Sequence, residues 1–343
     1  MKISKVVIPD LWDKYEITWK LKKHVNILSG INGSGKSTIL RAIASALKGE
    51  PLPNNVVKRM SSIKIFFDSG QILELKVTFE KSKSKLTEDS DRGLTLKLKE
   101  TNQKSQKLSS ELINSQKLSL RDNKNNNLDI KDFLSNLKFS YISTFDCPPQ
   151  RPDDPKAYLE YILNSSYSEL DRHLEIIIDK FKTYQIELSS RITKMMSVTQ
   201  TDSNCDDTSF IDIKALIKRR NILQDTIDNL MKESGKHLDR EKGDLEFIFH
   251  SDNSSHSYKD LSAGEKQLLL ILLTVFIQEN KSSILIMDEP EISLHIDWQR
   301  NLIDIINSLN PNCQVIISTH SPSMILNGWH AAVDNISDLA KQI

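Results

Sequence analysis

Gly30, four residues, then Gly35-Lys36-Ser37 match the spacing G-x-x-x-x-G-K-[ST] of a phosphate-binding P-loop. Glycine lets the backbone curl so that successive N–H groups converge on phosphate oxygens, and the N-terminus of a following helix adds partial positive charge. Gly30, Asn32, Gly33, Ser34, Gly35, Lys36, Ser37 and Thr38 form the candidate cradle. In it Lys36 reaches the outer phosphates and the Ser37 hydroxyl ligates Mg²⁺. A second group lies far along the chain, where the apolar run Ser283–Met287 (SILIM) ends in Asp288-Glu289-Pro290-Glu291. A carboxylate pair at the end of a buried strand is a Walker B arrangement. Asp288 is expected in the Mg²⁺ shell, with Glu289 polarising the attacking water.

The surrounding elements must bring these two groups together. Val25–Leu28 reads as a short buried strand feeding the loop, and Ile39, Leu40, Ile43 and Leu47 recur at helical spacing behind it. Ile3–Ile8 is expected to be an edge strand and Trp12–Trp19 a second strand. Ile63–Phe67 and Ile72–Phe79 flank the turn signal Asp68–Gln71, and Leu94–Leu98 alternates as a further strand. From Lys81 the chain turns polar through Asn127, a composition that predicts long exposed hairpins or partial disorder. Lys81, Lys83 and Lys85 there read either as a phosphate-backbone patch or as a solvated hairpin tip. Phe139–Thr144 is a strand candidate before the proline-rich DCPPQRPDDP. Apolar residues at helical spacing from Ala157 towards Met195, and again over Ile211–Met231, predict either an antiparallel helical arm or a plain helical subdomain. Strands at Leu245–Phe249 and Gln314–Ser318, a helix at Leu268–Ile277 and another at Trp298–Leu309 complete the pattern, and the tail from Met324 is mixed.

At 343 residues the chain can bury a sizeable core. Lys+Arg and Asp+Glu both number 46, so no global positive charge points to nucleic acid, and 6% aromatics argue against many base-stacking platforms. Cys147, Cys205 and Cys313 form no C-x-x-C pair, which suits a reducing cytoplasm. The N-terminus carries no signal-like apolar region. The longest apolar stretch, Leu268–Ile277, is too short for a bilayer, so no membrane association is expected.

Leu261-Ser262-Ala263-Gly264-Glu265-Lys266-Gln267 resembles the signature motif of ABC-type ATPases. Ser262 and the Gly264 backbone would form a phosphate-facing nest at a helix start. Ser262 with Glu265 is equally a capping box, and the two readings are compatible. The order of P-loop, helical insertion, signature, Asp-Glu and His320 extends the resemblance over residues 1–50 and about 245–325. The wording of DEPEISLH and STHSP is similar to the branch holding SMC-like repair ATPases, overcoming-lysogenisation-defect nucleases and bacterial anti-phage defence ATPases.

The resemblance implies an α/β P-loop NTPase of ABC/SMC-like architecture with an inserted helical arm and an antiparallel β subdomain. Its expected divisions are an N-terminal lobe (1–150), the arm (151–243) and a C-terminal lobe (244–343). It also implies ATP and Mg²⁺ as cofactors, Glu289 and His320 as catalytic residues, and Ser262 and Gly264 closing over the ATP of a second copy. Gln150 is implied as the Q-loop metal residue, and Ser293-Leu294-His295 as the loop that crosses the interface. A homodimer, or a higher assembly, is expected in the cytoplasm. Overcoming-lysogenisation-defect proteins carry a C-terminal nuclease domain and none follows here, so a nuclease or toxin effector is expected on a separate protein. The alternatives are a DNA-clamping repair or recombination ATPase and an ATP-binding scaffold without turnover.

Overall fold

The computed structural model describes residues 1–81, 94–97, 112–143, 168–201, 207–242, 245–251 and 253–343. Two sheets enclose the helix that follows the P-loop. The seven-stranded sheet has the order β15 (Ala340–Gln342), β2 (Tyr15–Lys20), β1 (Ile3–Leu11), β4 (Ser62–Phe67), β5 (Ile72–Lys81), β7 (Leu112–Arg121), β6 (Leu94–Lys97). Every neighbouring pair in it is antiparallel. The five-stranded sheet has the order β14 (Val333–Asn335), β3 (Val25–Ser29), β13 (Cys313–Ser318), β12 (Ser283–Asp288), β8 (Phe139–Ser143), all parallel.

Strand side chains alternate between faces. On one face of the parallel sheet, Leu28, Ile284, Ile286 and Ile316 join a core with Ile39, Leu40, Ile43 and Leu47 of α1 (Lys36–Lys48) and with Val6, Ile8, Ile63 and Leu75 of the antiparallel sheet. On the other face, Ile27, Leu285, Met287, Val315 and Ile317 pack in one core with residues of α4 (Glu169–Thr201), α5 (Asp207–Met231), α6 (Ala263–Phe276) and α7 (Ile296–Leu309). Burial on both faces explains why SILIM and QVIIS read as unbroken apolar runs. Short helices α2 (Asn54–Val57) and α3 (Ile130–Asn136) lie within the first half of the chain. A small antiparallel sheet of β9 (Lys236–Leu238), β10 (Glu246–Phe249) and β11 (Ser254–Ser257) follows α5.

Three expectations change. β1 is interior, hydrogen-bonded to β2 on one side and β4 on the other, rather than an edge strand. The polar stretch contains β7, which pairs with β5 over ten residues from Ile72↔Arg121 to Lys81↔Leu112. Leu118 and Leu120 supply its apolar face. Gln116, fully buried, uses its amide to receive Leu52 N–H (2.7 Å) and donate to Leu52 O (3.1 Å), standing in for a backbone partner. The mixed tail closes both sheets: β14 pairs with β3, β15 pairs with β2, and α8 (Ile336–Leu339) joins them. Of the two helices predicted for the arm, α4 packs on α6 through Phe181 and Tyr184, whose rings lie 5.9 and 5.6 Å from that of Phe276. Residues 157–167 of the predicted first helix, Cys147, Cys205, Lys83 and Lys85 lie outside the described residues. No helix among the described residues is long and apolar enough to cross a membrane.

The start of α6 is fixed by a reciprocal cap. Ser262 Oγ accepts from Glu265 N–H at 3.4 Å, and Glu265 Oε2 accepts from Ser262 N–H at 2.8 Å. Glu265 is buried and also receives Lys236 Nζ at 2.8 Å and Ser234 Oγ at 2.7 Å, which ties α6 to β9. Burial alone would raise its pKa, but these hydrogen bonds hold the carboxyl below the ordinary glutamate range.

Two stability outcomes follow from these buried groups. Gln116→Leu leaves the Leu52 N–H and C=O unpaired and should cost about 2–4 kcal/mol in denaturant unfolding. Lys236→Met strands the buried Glu265 charge and should cost about 2–4 kcal/mol at pH 7. Because the folded Glu265 pKa is depressed, the pair's contribution is full above the unfolded value near 4.5 and is lost as pH falls through the folded one. The gap between Lys236→Met and the parent protein should therefore narrow in unfolding curves taken below that pH.

Candidate functional site

Leaving β3, the chain turns through Gly30 (φ +152°), Gly33 (φ +77°) and Gly35 (φ +101°) before α1 begins. Gly35 is required on two counts: its φ is left-handed, and a Cβ there would lie 2.8 Å from the Trp12 ring. Lys36 is 4% exposed, and its ammonium donates to the loop's own carbonyls, Gly30 O at 3.0 Å and Ile31 O at 3.1 Å. Burial lowers its pKa, while the carboxylates of Glu289, Asp288 and Glu291 act in the opposite direction. Asn32 and Gly33 are exposed at the loop tip and Ser34 is half-buried. Thr38 is buried, with Oγ1 accepting from Arg59 Nη1 at 2.8 Å.

The parallel sheet delivers the second group. Its order places the carboxyl ends of β3, β13 and β12 side by side. Ser37 Oγ, at the start of α1, donates to Asp288 Oδ1 at 3.0 Å, and Ser318 Oγ at the end of β13 donates to the same oxygen. Two oxygens bound cis to an octahedral ion at about 2.1 Å stand about 3.0 Å apart, so a hydroxyl and a carboxylate at this spacing fit Mg²⁺. β8 ends alongside, with Ser143 in register with Asp288. Gln150, a few residues on, lies outside the described residues.

Glu289 sits at φ +50°, a left-handed backbone unusual for glutamate, with its N–H bonded to Ser318 O at 2.9 Å. Burial first, then the Asp288 and Glu291 charges, push its carboxyl above the ordinary range. His320, on the loop after β13, brings Nε2 to 3.7 Å from Glu289 Oε1. Lys36, Ser37, Asp288, Glu289 and His320 are thus gathered at one end of one sheet from three separate segments.

Ser262 and Gly264 stand apart from this group. Ser262 is exposed at the head of α6, and no hydrogen bond among the described residues joins it to the P-loop. Gly264 is buried against the 293 loop: a Cβ there would lie 2.2 Å from the Ser293 carbonyl oxygen. Ser293 itself takes φ +68°.

Two features escaped sequence reasoning. Glu291, two residues past Glu289, receives Thr319 Oγ1 and the backbone N–H groups of His320 and Ser321 on one carboxylate oxygen. Its place in DEPE was the available signal, but nothing in the sequence shows a partner 28 residues away. Beside the P-loop, Trp12, Tyr15, Ile17, Ile31, Ile336 and Ala340 line an open, largely apolar cavity of about 390 Å³. Ile31 is 81% exposed there. Trp12 is not part of a strand; with Asp13 it forms a left-handed turn between β1 and β2.

Comparison with known proteins agrees with this geometry. The family model described as AAA ATPase domain matches residues 1–325. The Retron Vc95 probable ATPase of Vibrio cholerae serotype O1 biovar El Tor is 25% identical over 377 residues, covering 93% of this chain and 70% of that protein. The Retron Ec83 probable ATPase of Escherichia coli is 30% identical over 98 residues, 25% of this chain and 18% of that one. A crystal structure of the SmcHead bound to the C-winged helix domain of ScpA superposes with TM-score 0.50 at 13% identity, covering 100% of this chain and 98% of that one, a likeness of fold. With a P-loop joined through Ser37 to a strand-end Asp288 and a family match over residues 1–325, the chain belongs to the AAA ATPase domain family.

Proposed function

We propose that this protein binds and hydrolyses ATP between two copies of the chain and uses the cycle to control a separate effector, in anti-phage defence. The observation that carries the hydrolytic part is the convergence of Ser37, Asp288, Glu289 and His320 beside the P-loop. The defence assignment rests on the resemblance of DEPEISLH and STHSP to that branch and on relatives named as retron ATPases.

In this reading the P-loop N–H groups and the α1 N-terminus bind the phosphates. Lys36 exchanges its two loop carbonyls for the β- and γ-phosphate oxygens. Mg²⁺, held by Ser37 and Asp288, supplies charge neutralisation at the phosphates. Glu289, next to Asp288 at the end of β12, orients the attacking water and takes up its proton. His320, within reach of Glu289, holds the γ-phosphate side of the pocket. The base stacks in the apolar cavity against Trp12 and Tyr15, walled by Ile336 of the tail. The open side is covered by Ser262 of a second copy, at an α6 N-terminus whose helix dipole favours an anion.

Glu289→Gln should keep ATP binding and ATP-dependent dimers and lose about 100-fold or more in phosphate release. Normal turnover in that variant removes the role given to Glu289. Ser262 is exposed, so Ser262→Arg should fold with only the loss of a cap, about 1 kcal/mol. It should still bind ATP as a monomer but fail to dimerise in light scattering. Full turnover by such a monomer would remove the shared pocket. Gly264→Ala, by contrast, should lower the unfolding midpoint outright, because its Cβ has no room beside the Ser293 carbonyl.

A further inference from the structure

Beyond Asp288 and Ser318 the ladder between β12 and β13 ends, and the two strands continue as separate loops. Glu289 rides on the first loop and His320 on the second. The last backbone bond between the two strands is Glu289 N–H to Ser318 O at 2.9 Å; past it, three hydrogen bonds join the loops, and all end on one atom. Glu291 Oε1 accepts from Thr319 Oγ1 at 2.6 Å, from His320 N–H at 2.8 Å and from Ser321 N–H at 3.2 Å. Thr319 is 1% exposed, and Ser321 N–H also reaches Thr319 Oγ1 at 2.9 Å, so the second loop is wound around the carboxylate. Charged acceptors make the stronger hydrogen bonds, and one of these donors is the backbone of His320 itself.

Gln299 of α7 extends the link. Its Nε2 donates to Leu294 O at 3.0 Å and Glu291 O at 3.3 Å, while its Oε1 accepts from Ser321 Oγ at 2.7 Å. One side chain therefore holds both ends of the 291–294 turn and the loop that carries His320. Leu294 is buried beneath that turn, and Ser293 in it presses on Gly264 at the head of α6.

We infer that Glu291 and Gln299 form a polar clamp that positions His320 against Glu289 and ties both to the 292–295 turn. They are positioning residues: they act on the reaction through the loops they hold. A partner that pushes on the turn moves His320 with it, because the same two side chains grip both. The inference rests on the reading of Glu289 and His320 as the hydrolytic pair.

The test measures ATP affinity at equilibrium and steady-state turnover for single variants of the full chain. Glu291→Ala should lower kcat by about 30-fold or more while ATP affinity stays within about threefold, because the P-loop is untouched. Glu291→Gln keeps an oxygen acceptor at Oε1, and Oε2 has no partner among the described residues to lose. It should therefore recover most of the rate lost in Glu291→Ala. If Glu291→Ala fails to fold, Thr319→Val, isosteric and lacking one donor, should by itself lower kcat about fivefold at unchanged affinity. Turnover of Glu291→Ala within about threefold of the parent overturns the clamp, as does a Gln variant as slow as the Ala variant, or Thr319→Val at the parental rate. Glu289→Gln separates the two readings. If it turns over normally, the hydrolytic pair itself is wrong; if it is inactive while Glu291→Ala is normal, only the clamp falls.

Discussion

The structure turns on the contact between Ser37 and Asp288. One residue opens the helix behind β3 and the other closes β12, 251 positions later, with β13 lying between their strands. Only a parallel sheet brings three carboxyl ends to the same edge, and that is where α/β folds present their ligand sites. The cost is topological. Parallel neighbours need long crossovers, so the chain between β3 and β12 must be packed elsewhere. The antiparallel sheet takes one face of α1, and the helices α4 to α7 take the opposite face of the parallel sheet.

The parts of this arrangement that were legible in the sequence share a property: each is encoded locally. Gly30 to Ser37, the run SILIM before Asp288 and the run QVIIS before Thr319 each declare their local structure within ten residues. The capping box of Ser262 and Glu265 was also readable, because a cap is a four-residue event. What could not be read depends on partners distant in sequence. β7 was hidden by Gln116, a polar residue whose burial makes sense only once Leu52 stands opposite with an unpaired N–H and C=O. β1 looked like an edge because alternation says how many faces are buried, not how many neighbours a strand has.

The tail illustrates the same limit with more consequence for the site. Val333–Gln342 has no long apolar run and no recognisable periodicity. It nevertheless adds a strand to each sheet, and Asp334 Oδ2 accepts from the indole of the buried Trp19 at 2.9 Å. Between those strands Ile336 is carried to the P-loop, where a Cβ on Gly30 would meet its Cγ2 at 2.6 Å. Gly30 is therefore set by two demands at once, the curl of a phosphate loop and the approach of a residue three hundred positions away.

Gly264 extends that reasoning to the head of α6. In a phosphate-facing helix start, glycine is ordinarily explained by access of the backbone to an anion. Here the glycine is buried and its missing side chain is occupied by the Ser293 carbonyl, so the head of α6 and the turn after β12 touch backbone to backbone. The same turn is held by Gln299, and through Ser321 and Glu291 by the loop of His320. Packed interiors respond to displacement by shifting as units rather than by stretching. The head of α6, the 292–295 turn and the His320 loop are therefore linked by direct contacts that end beside Glu289.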